Sequence, residues 1–178
     1  EQFAQLATHN IAAIEGRGAT RMVTGCAGCY RTFRHIYPKK VGKGAFEVLH
    51  ISELLAELLD AGKLRPTKPV KGRFIYHDPC ELGRLAGEYD APRKVIARVA
   101  ELIEPQATKV EPRFCGAGGA MCAAEPELSV KMAENRIRKD IEPTGAAKII
   151  TACPSCLFNL TVGSSRREAE TGKAIEVV

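Results

Sequence analysis

"KIITACPSCLFNL", residues 148–160, runs an apolar, β-branched stretch straight into a Cys-x-x-Cys pair, and it has a twin in "RMVTGCAGCYRTF" at 21–33. Cys26 and Cys29 map onto Cys153 and Cys156 at a single offset of 127 residues. The match extends upstream, where "IEGRGATRMVTGCAGC" lies over "IEPTGAAKIITACPSC". Ile14, Glu15, Gly18, Ala19 and Thr24 fall on Ile141, Glu142, Gly145, Ala146 and Thr151. Self-similarity at a fixed offset marks an internal duplication, which decides the fold before any motif is interpreted. Each copy is preceded by helical periodicity, "EQFAQLATHNIAAIE" and "PELSVKMAENRIRKDIE", that stops near a glycine. The repeated unit reads helix, short strand, Cys-x-x-Cys, helix.

The remaining segments keep this rhythm. "AFEVLHI" (45–51) has strand composition, and "SELLAELLDAGKL" (52–64) has apolar residues at helical spacing behind Ser52, the expected N-cap. "RFIYHDPC" (73–80) predicts a third strand ending at Cys80, and "APRKVIARVAELIE" (91–104) predicts one amphipathic helix. Strands alternating with helices predict an α/β fold with a parallel sheet, in which ligands bind on loops leaving the carboxyl ends of strands. The cysteine pairs and Cys80 are expected on such loops. "KLRPTKPVKG" at 63–72 is the best candidate linker, and the terminal "IEVV" resembles "FEVL" at 46–49. Both ends are expected to fall inside a repeat, as in a piece of a longer protein, leaving the first of two pseudo-symmetric units incomplete.

Composition narrows the function. With 45% hydrophobic and 26% charged residues, the 178-residue chain can bury a core, and the net charge of +5 is mild. Aromatics at 6%, no tryptophan and no zinc-finger or RNP-like spacing argue against nucleic acid. No apolar run approaches the roughly 20 residues of a membrane-spanning helix, and no signal-peptide pattern opens the chain. The cytoplasm is the default compartment, without direct membrane insertion. There, seven cysteines point to metal or redox chemistry rather than to a disulfide framework.

Four of these cysteines stand out. Cys80 in "HDPCELGR", Cys115 in "RFCGAGGAMC", and Cys153 and Cys156 in "ACPSC" come from three strand-end loops. Four thiolates suit a soft metal or an iron–sulfur cluster. Pro154 can take the first position of the following helix, whose N-terminus favours thiolates. Gly116, Gly118 and Gly119 are expected to clear space beside Cys115 for backbone N–H groups to approach a cofactor.

The order HDPC, C-G-x-G-G, helix, strand and C-P-x-C resembles the duplicated cysteine-rich CCG domain of iron–sulfur oxidoreductases. "CAGCYRTFRHIYP" and "CGAGGAMCAAEPELS" are most similar to the heterodisulfide reductase D and B type. The resemblance implies the end of a first CCG-type domain over 1–66 and most of a second over 67–178. It implies cofactor-binding by Cys80, Cys115, Cys153, Cys156 and Gly116, with Cys26 and Cys29 the closing metal-binding pair of the first domain. It further implies partner subunits carrying flavin or iron–sulfur clusters, and a disulfide or other small-molecule substrate. The family's Cys-Cys-Gly triplet is Phe114-Cys115-Gly116 here, so an ordinary cubane 4Fe-4S cluster is favoured over the five-cysteine noncubane form. Cys122 is the spare sulfur, read as a small buried hydrophobe. The resemblance assigns no catalytic acid or base.

Other readings of the same residues stay open. Cys153-Pro-Ser-Cys156 could be a thioredoxin-like dithiol, which leaves Cys80 and Cys115 without a task. Four thiolates also suit structural zinc, in the second unit or at Cys26 and Cys29. The competing class is a zinc- or cluster-bearing module that only docks neighbouring subunits. His77 could contact a cluster or substrate or merely hold its loop, Asp78 reads as a turn residue, and Tyr30, Tyr76 and Phe158 are expected to shield the site from water.

Overall fold

The computed structural model describes residues 1–178 and is an α/β assembly of two parallel sheets. The chain begins with α1 (Gln2–Glu15), β1 (Arg21–Thr24) and α2 (Ala27–Arg31), which runs through a wide helical turn into α3 (Tyr37–Lys40). β2 (Glu47–His50) and α4 (Ile51–Asp60) follow. After the irregular 63–72 stretch come β3 (Arg73–His77), α5 (Asp90–Ala97) and β4 (Glu101–Ile103), then α6 (Met121–Ala124) and α7 (Pro126–Arg136). β5 (Lys148–Thr151), α8 (Pro154–Thr171) and β6 (Glu176–Val177) complete the chain.

The duplication is written into the pairing. β1 pairs β2 in parallel with Arg21 opposite Glu47 and Met22 opposite Val48; β5 pairs β6 with Lys148 opposite Glu176 and Ile149 opposite Val177. The first cross-strand pair carries an ion pair of 2.8 Å in one copy and 2.7 Å in the other. The second sheet has the order β4-β3-β5-β6, with β3 and β5 central. Central parallel strands covered on both faces read as continuous apolar runs, and β3 is buried from Phe74 through His77.

Strand alternation then sorts the site. Ile75 and His77 share one face of β3, the face that holds Ile149 and packs on Ala133 of α7, Ile137 of the helical turn just after it, and Leu160 of α8. α7 and α8 approach closely because Gly163 lies where a Cβ would stand 2.7 Å from Ala133 Cβ. Leu82, from the loop after β3, is fully buried in the core of the first sheet with Ala27, Tyr30, Phe46 and Val48. The two sheets are joined by that contact.

Three local expectations are corrected. The single helix expected over 91–104 stops at Ala97, and residues 101–103 form β4 against β3. Its apolar residues Leu102 and Ile103 meet a sheet edge, and short apolar runs do not by themselves distinguish helix from strand. The N-cap of α4 is His50 rather than Ser52. Its Nδ1 accepts from the Ser52 N–H at 3.3 Å while Glu53 accepts from the His50 N–H at 2.8 Å, a capping box with imidazole in the usual hydroxyl's place. Phe158, on α8, is 65% exposed and shields nothing, whereas Tyr30 and Tyr76 are buried.

Candidate metal centre

Every cysteine singled out in the second unit leaves the carboxyl end of a strand or the loop that faces it. Cys80 lies three residues beyond β3, Cys153 and Cys156 open α8 after β5, and Cys115 sits in the loop before α6. Together they line one cavity of about 380 Å³. Cys26 of the first unit lines the same cavity, with Gly28 and Arg31, so both Cys-x-x-Cys loops converge. Arg31 is tied to Glu81, next to Cys80, at 2.9 Å. A larger open groove of about 790 Å³ beside α3 and β2 contains no cysteine and plays no part in this chemistry.

Within the cavity the sulfurs are crowded. Cys115 Sγ and Cys156 Sγ are 3.2 Å apart, both residues are nearly fully buried, and all seven cysteines are free thiols. A Cβ on Gly118 would stand 3.9 Å from Cys80 Sγ, which puts that sulfur over the glycine loop. One ring nitrogen of His77 lies within 4.8 Å of the Cys115 and Cys156 sulfurs. Cys122 is exposed on α6 and does not line the cavity, so it is neither a fifth sulfur there nor the buried hydrophobe expected.

The electrostatics follow from the crowding. The Cys156 thiol donates toward Cys115 and, against the cost of burial, holds it down to about 4, with His77 contributing next. Cys153 is lowered to about 6, first by the Cys156 thiol and then by the N–H groups of Cys156, Ser155 and Ala27, the last from the first unit. Cys156 itself is pushed far up, because the neighbouring Cys115 and Cys153 sulfurs and burial all oppose a third negative charge. Burial raises Cys80, with Cys115 adding to it. Such a set cannot fully ionise by itself, and a cation among the sulfurs would relieve it.

The donors are fixed from behind by groups that sequence reading passed over. The buried Asn159 of α8 donates through Nδ2 to the Cys115 carbonyl at 2.5 Å and to the Ser129 carbonyl at 3.0 Å. Ser129 Oγ donates to the Gly116 carbonyl at 2.9 Å. Gly116, at φ +93°, is required here: a Cβ would overlap the Ser129 carbonyl oxygen and approach Asn159 Nδ2 to 2.6 Å. The missing side chain lets this turn pack closely against α7 and α8. The only hint was Asn159 within an otherwise apolar turn of helix.

Asp78 proves to be more than a turn residue. It is 2% exposed and binds Arg93 through two bonds of 2.7 Å, the Lys109 N–H at 2.9 Å and the Thr108 hydroxyl at 3.2 Å. The Arg93 guanidinium also stacks over the Tyr76 ring at 5.0 Å. A bidentate, largely buried Arg–carboxylate pair is stronger and more directional than a surface ion pair. It anchors the end of β3 and the loop that carries Cys80 to α5 and to the 104–109 turn.

No helix is long and apolar enough to cross a membrane. The chain is 40% identical over 162 residues to the D subunit of dihydromethanophenazine:CoB–CoM heterodisulfide reductase from Methanosarcina barkeri, covering 89% of this chain and 39% of that one. The equivalent protein from Methanosarcina acetivorans is 38% identical over 169 residues, covering 93% and 41%. The probable iron-sulfur-binding oxidoreductase FadF of Bacillus subtilis is 34% identical over 170 residues, covering 94% and 24%. The chain thus spans about two fifths of the length of the heterodisulfide reductase subunits it matches. The family model described as a cysteine-rich domain, CCG, matches residues 1–34 and 74–161. With that match over most of its length, the chain belongs to the cysteine-rich CCG domain family.

Proposed function

We propose that this chain is the cluster-bearing part of an iron–sulfur oxidoreductase subunit that passes electrons to or from a disulfide or similar small molecule, as in heterodisulfide reductase. Residues 1–66 are read as the end of a first CCG-type domain and 67–178 as the second. Cys80, Cys115, Cys153 and Cys156 would hold a 4Fe-4S cluster, with the cubane form favoured by Phe114 in place of a fifth cysteine. The observation that carries this reading is the convergence of those four thiols on one cavity, where their mutual repulsion calls for a cation. A bound cluster would supply one-electron redox chemistry.

The chain's own groups have separable tasks. The thiolates ligate, and the N–H groups at the start of α8 offset their charge. Asn159, Ser129 and Gly116 hold Cys115, while Asp78 and Arg93 hold the Cys80 loop. Tyr30 and Tyr76 are buried without lining the cavity, Tyr76 under Arg93 on the face of β3 opposite His77. Cys26 and Cys29 are read as metal ligands of the first unit, with zinc as an alternative occupant. Electrons would come from partner subunits carrying flavin or further clusters.

The test is anaerobic isolation or reconstitution with iron and sulfide. Brown protein with broad absorption near about 400 nm and bound iron and sulfide is the expected result for a thiolate-held cluster. Colourless protein with stoichiometric zinc would contradict it and favour a docking module.

A further inference from the structure

His77 is the last residue of β3 and 2% exposed, and its Nδ1 is buried without a hydrogen-bond partner. Buried polar atoms without a partner are rare in native structures, and one that is kept calls for an explanation. Strand alternation sends the ring to the same side as Ile75, toward Cys115 and Cys156, whose sulfurs lie within 4.8 Å of one ring nitrogen. Its backbone is fixed independently: the His77 carbonyl accepts from Thr151 Oγ1 at 3.2 Å, and Asp78 is clamped by Arg93. The imidazole is therefore held rigidly with one ring nitrogen facing the two most buried sulfurs of the set.

We propose that His77 is a positioning residue that donates an N–H hydrogen bond to a ligand sulfur of the metal centre and raises its electron affinity without ligating metal. This rests on the proposed cluster and adds the residue that tunes it. Four thiolates already complete an ordinary cluster's ligand set, which leaves the imidazole free for the shell around the ligands. Reduction adds one electron and hence negative charge to the sulfurs, and a fixed N–H donor stabilises that charge. Removing the donor lowers the midpoint potential while iron and sulfide stay bound.

The experiment compares His77→Leu, His77→Asn and His77→Gln with the unaltered protein, each with its cluster assembled. Metal and sulfide are quantified, and midpoint potentials are read by EPR-monitored titration. The expected result is unchanged iron and sulfide, a more negative potential in His77→Leu, and recovery toward the unaltered value in at least one amide variant. An unmoved potential in His77→Leu, or cluster loss in all three variants, overturns the proposal. Should the Leu variant not fold, pulsed EPR on reduced protein with 15N-labelled histidine decides. A weak histidine coupling supports a hydrogen bond; no coupling, or the strong coupling of a direct ligand, overturns it. An unaltered protein that takes up no iron and sulfide would instead remove the proposed function itself.

Discussion

The two Cys-x-x-Cys loops descend from one repeat and end up in different chemical states. In the first, Cys26 caps the five-residue α2 and its sulfur accepts from the Cys29 N–H at 3.4 Å, while Cys29 is exposed and its thiol is raised by partial burial and by Cys26. In the second, Pro154 starts an 18-residue helix, Cys156 is buried against Cys115, and Cys153 is lowered to about 6. The strand, the loop and the spacing are the same. What differs is what surrounds them: β3 and the glycine loop bring Cys80, Cys115 and His77 to the second pair. Thiol chemistry in this chain is thus set by neighbouring loops rather than by the motif.

The largest break in that comparison comes from the cysteines themselves. Cys156→Ser is expected to abolish iron and sulfide binding at the second unit, whereas Cys29→Ser leaves it in place; metal and sulfide analysis of the purified variants checks both. Next in size is Leu82→Ala, which opens a cavity where the second unit enters the core of the first sheet. Urea unfolding should show a loss of about 2–5 kcal/mol, the usual cost of emptying a fully buried leucine site. Gly116→Ala should cost about 1–3 kcal/mol, because the added methyl collides with Ser129 and with Asn159. Loosening of Cys115 should follow, read as faster cluster loss on exposure to a chelator. The smallest effect is expected at Gly25→Ala, within about 0.5 kcal/mol by the same denaturation. The repeat equivalent is already Ala152, and a Cβ at Gly25 meets only Ile51 at 3.9 Å.

Much of this was legible in the sequence because a duplication constrains two places at once. The 127-residue offset aligned strands that pair with the same register, down to the Arg21–Glu47 and Lys148–Glu176 ion pairs, and the likeness of "IEVV" to "FEVL" marked β6 as the counterpart of β2. The gathering of Cys80, Cys115, Cys153 and Cys156 was anticipated from their strand-end positions. Less legible were features set by long-range packing. β4 shares its apolar pattern with a helix and becomes a strand only because β3 offers an edge. Asn159, Ser129 and the tight seat of Gly116 make sense only once α7 and α8 are in contact. The entry of Cys26 into the second unit's cavity depends on Leu82 and Arg31 docking the units, which no local pattern encodes.

The central claim is that four sulfurs grip one inorganic centre, and cysteine footprinting of the anaerobic, iron-loaded protein tests it most directly. Alkylation followed by peptide mass spectrometry should leave Cys80, Cys115, Cys153 and Cys156 unlabelled together while exposed Cys122 reacts, and chelating the iron in denaturant, which also opens the buried Cys115 and Cys156, should release all four at once. Labelling of any one of the four in the loaded protein, or their release one by one at different metal contents, would contradict a shared centre.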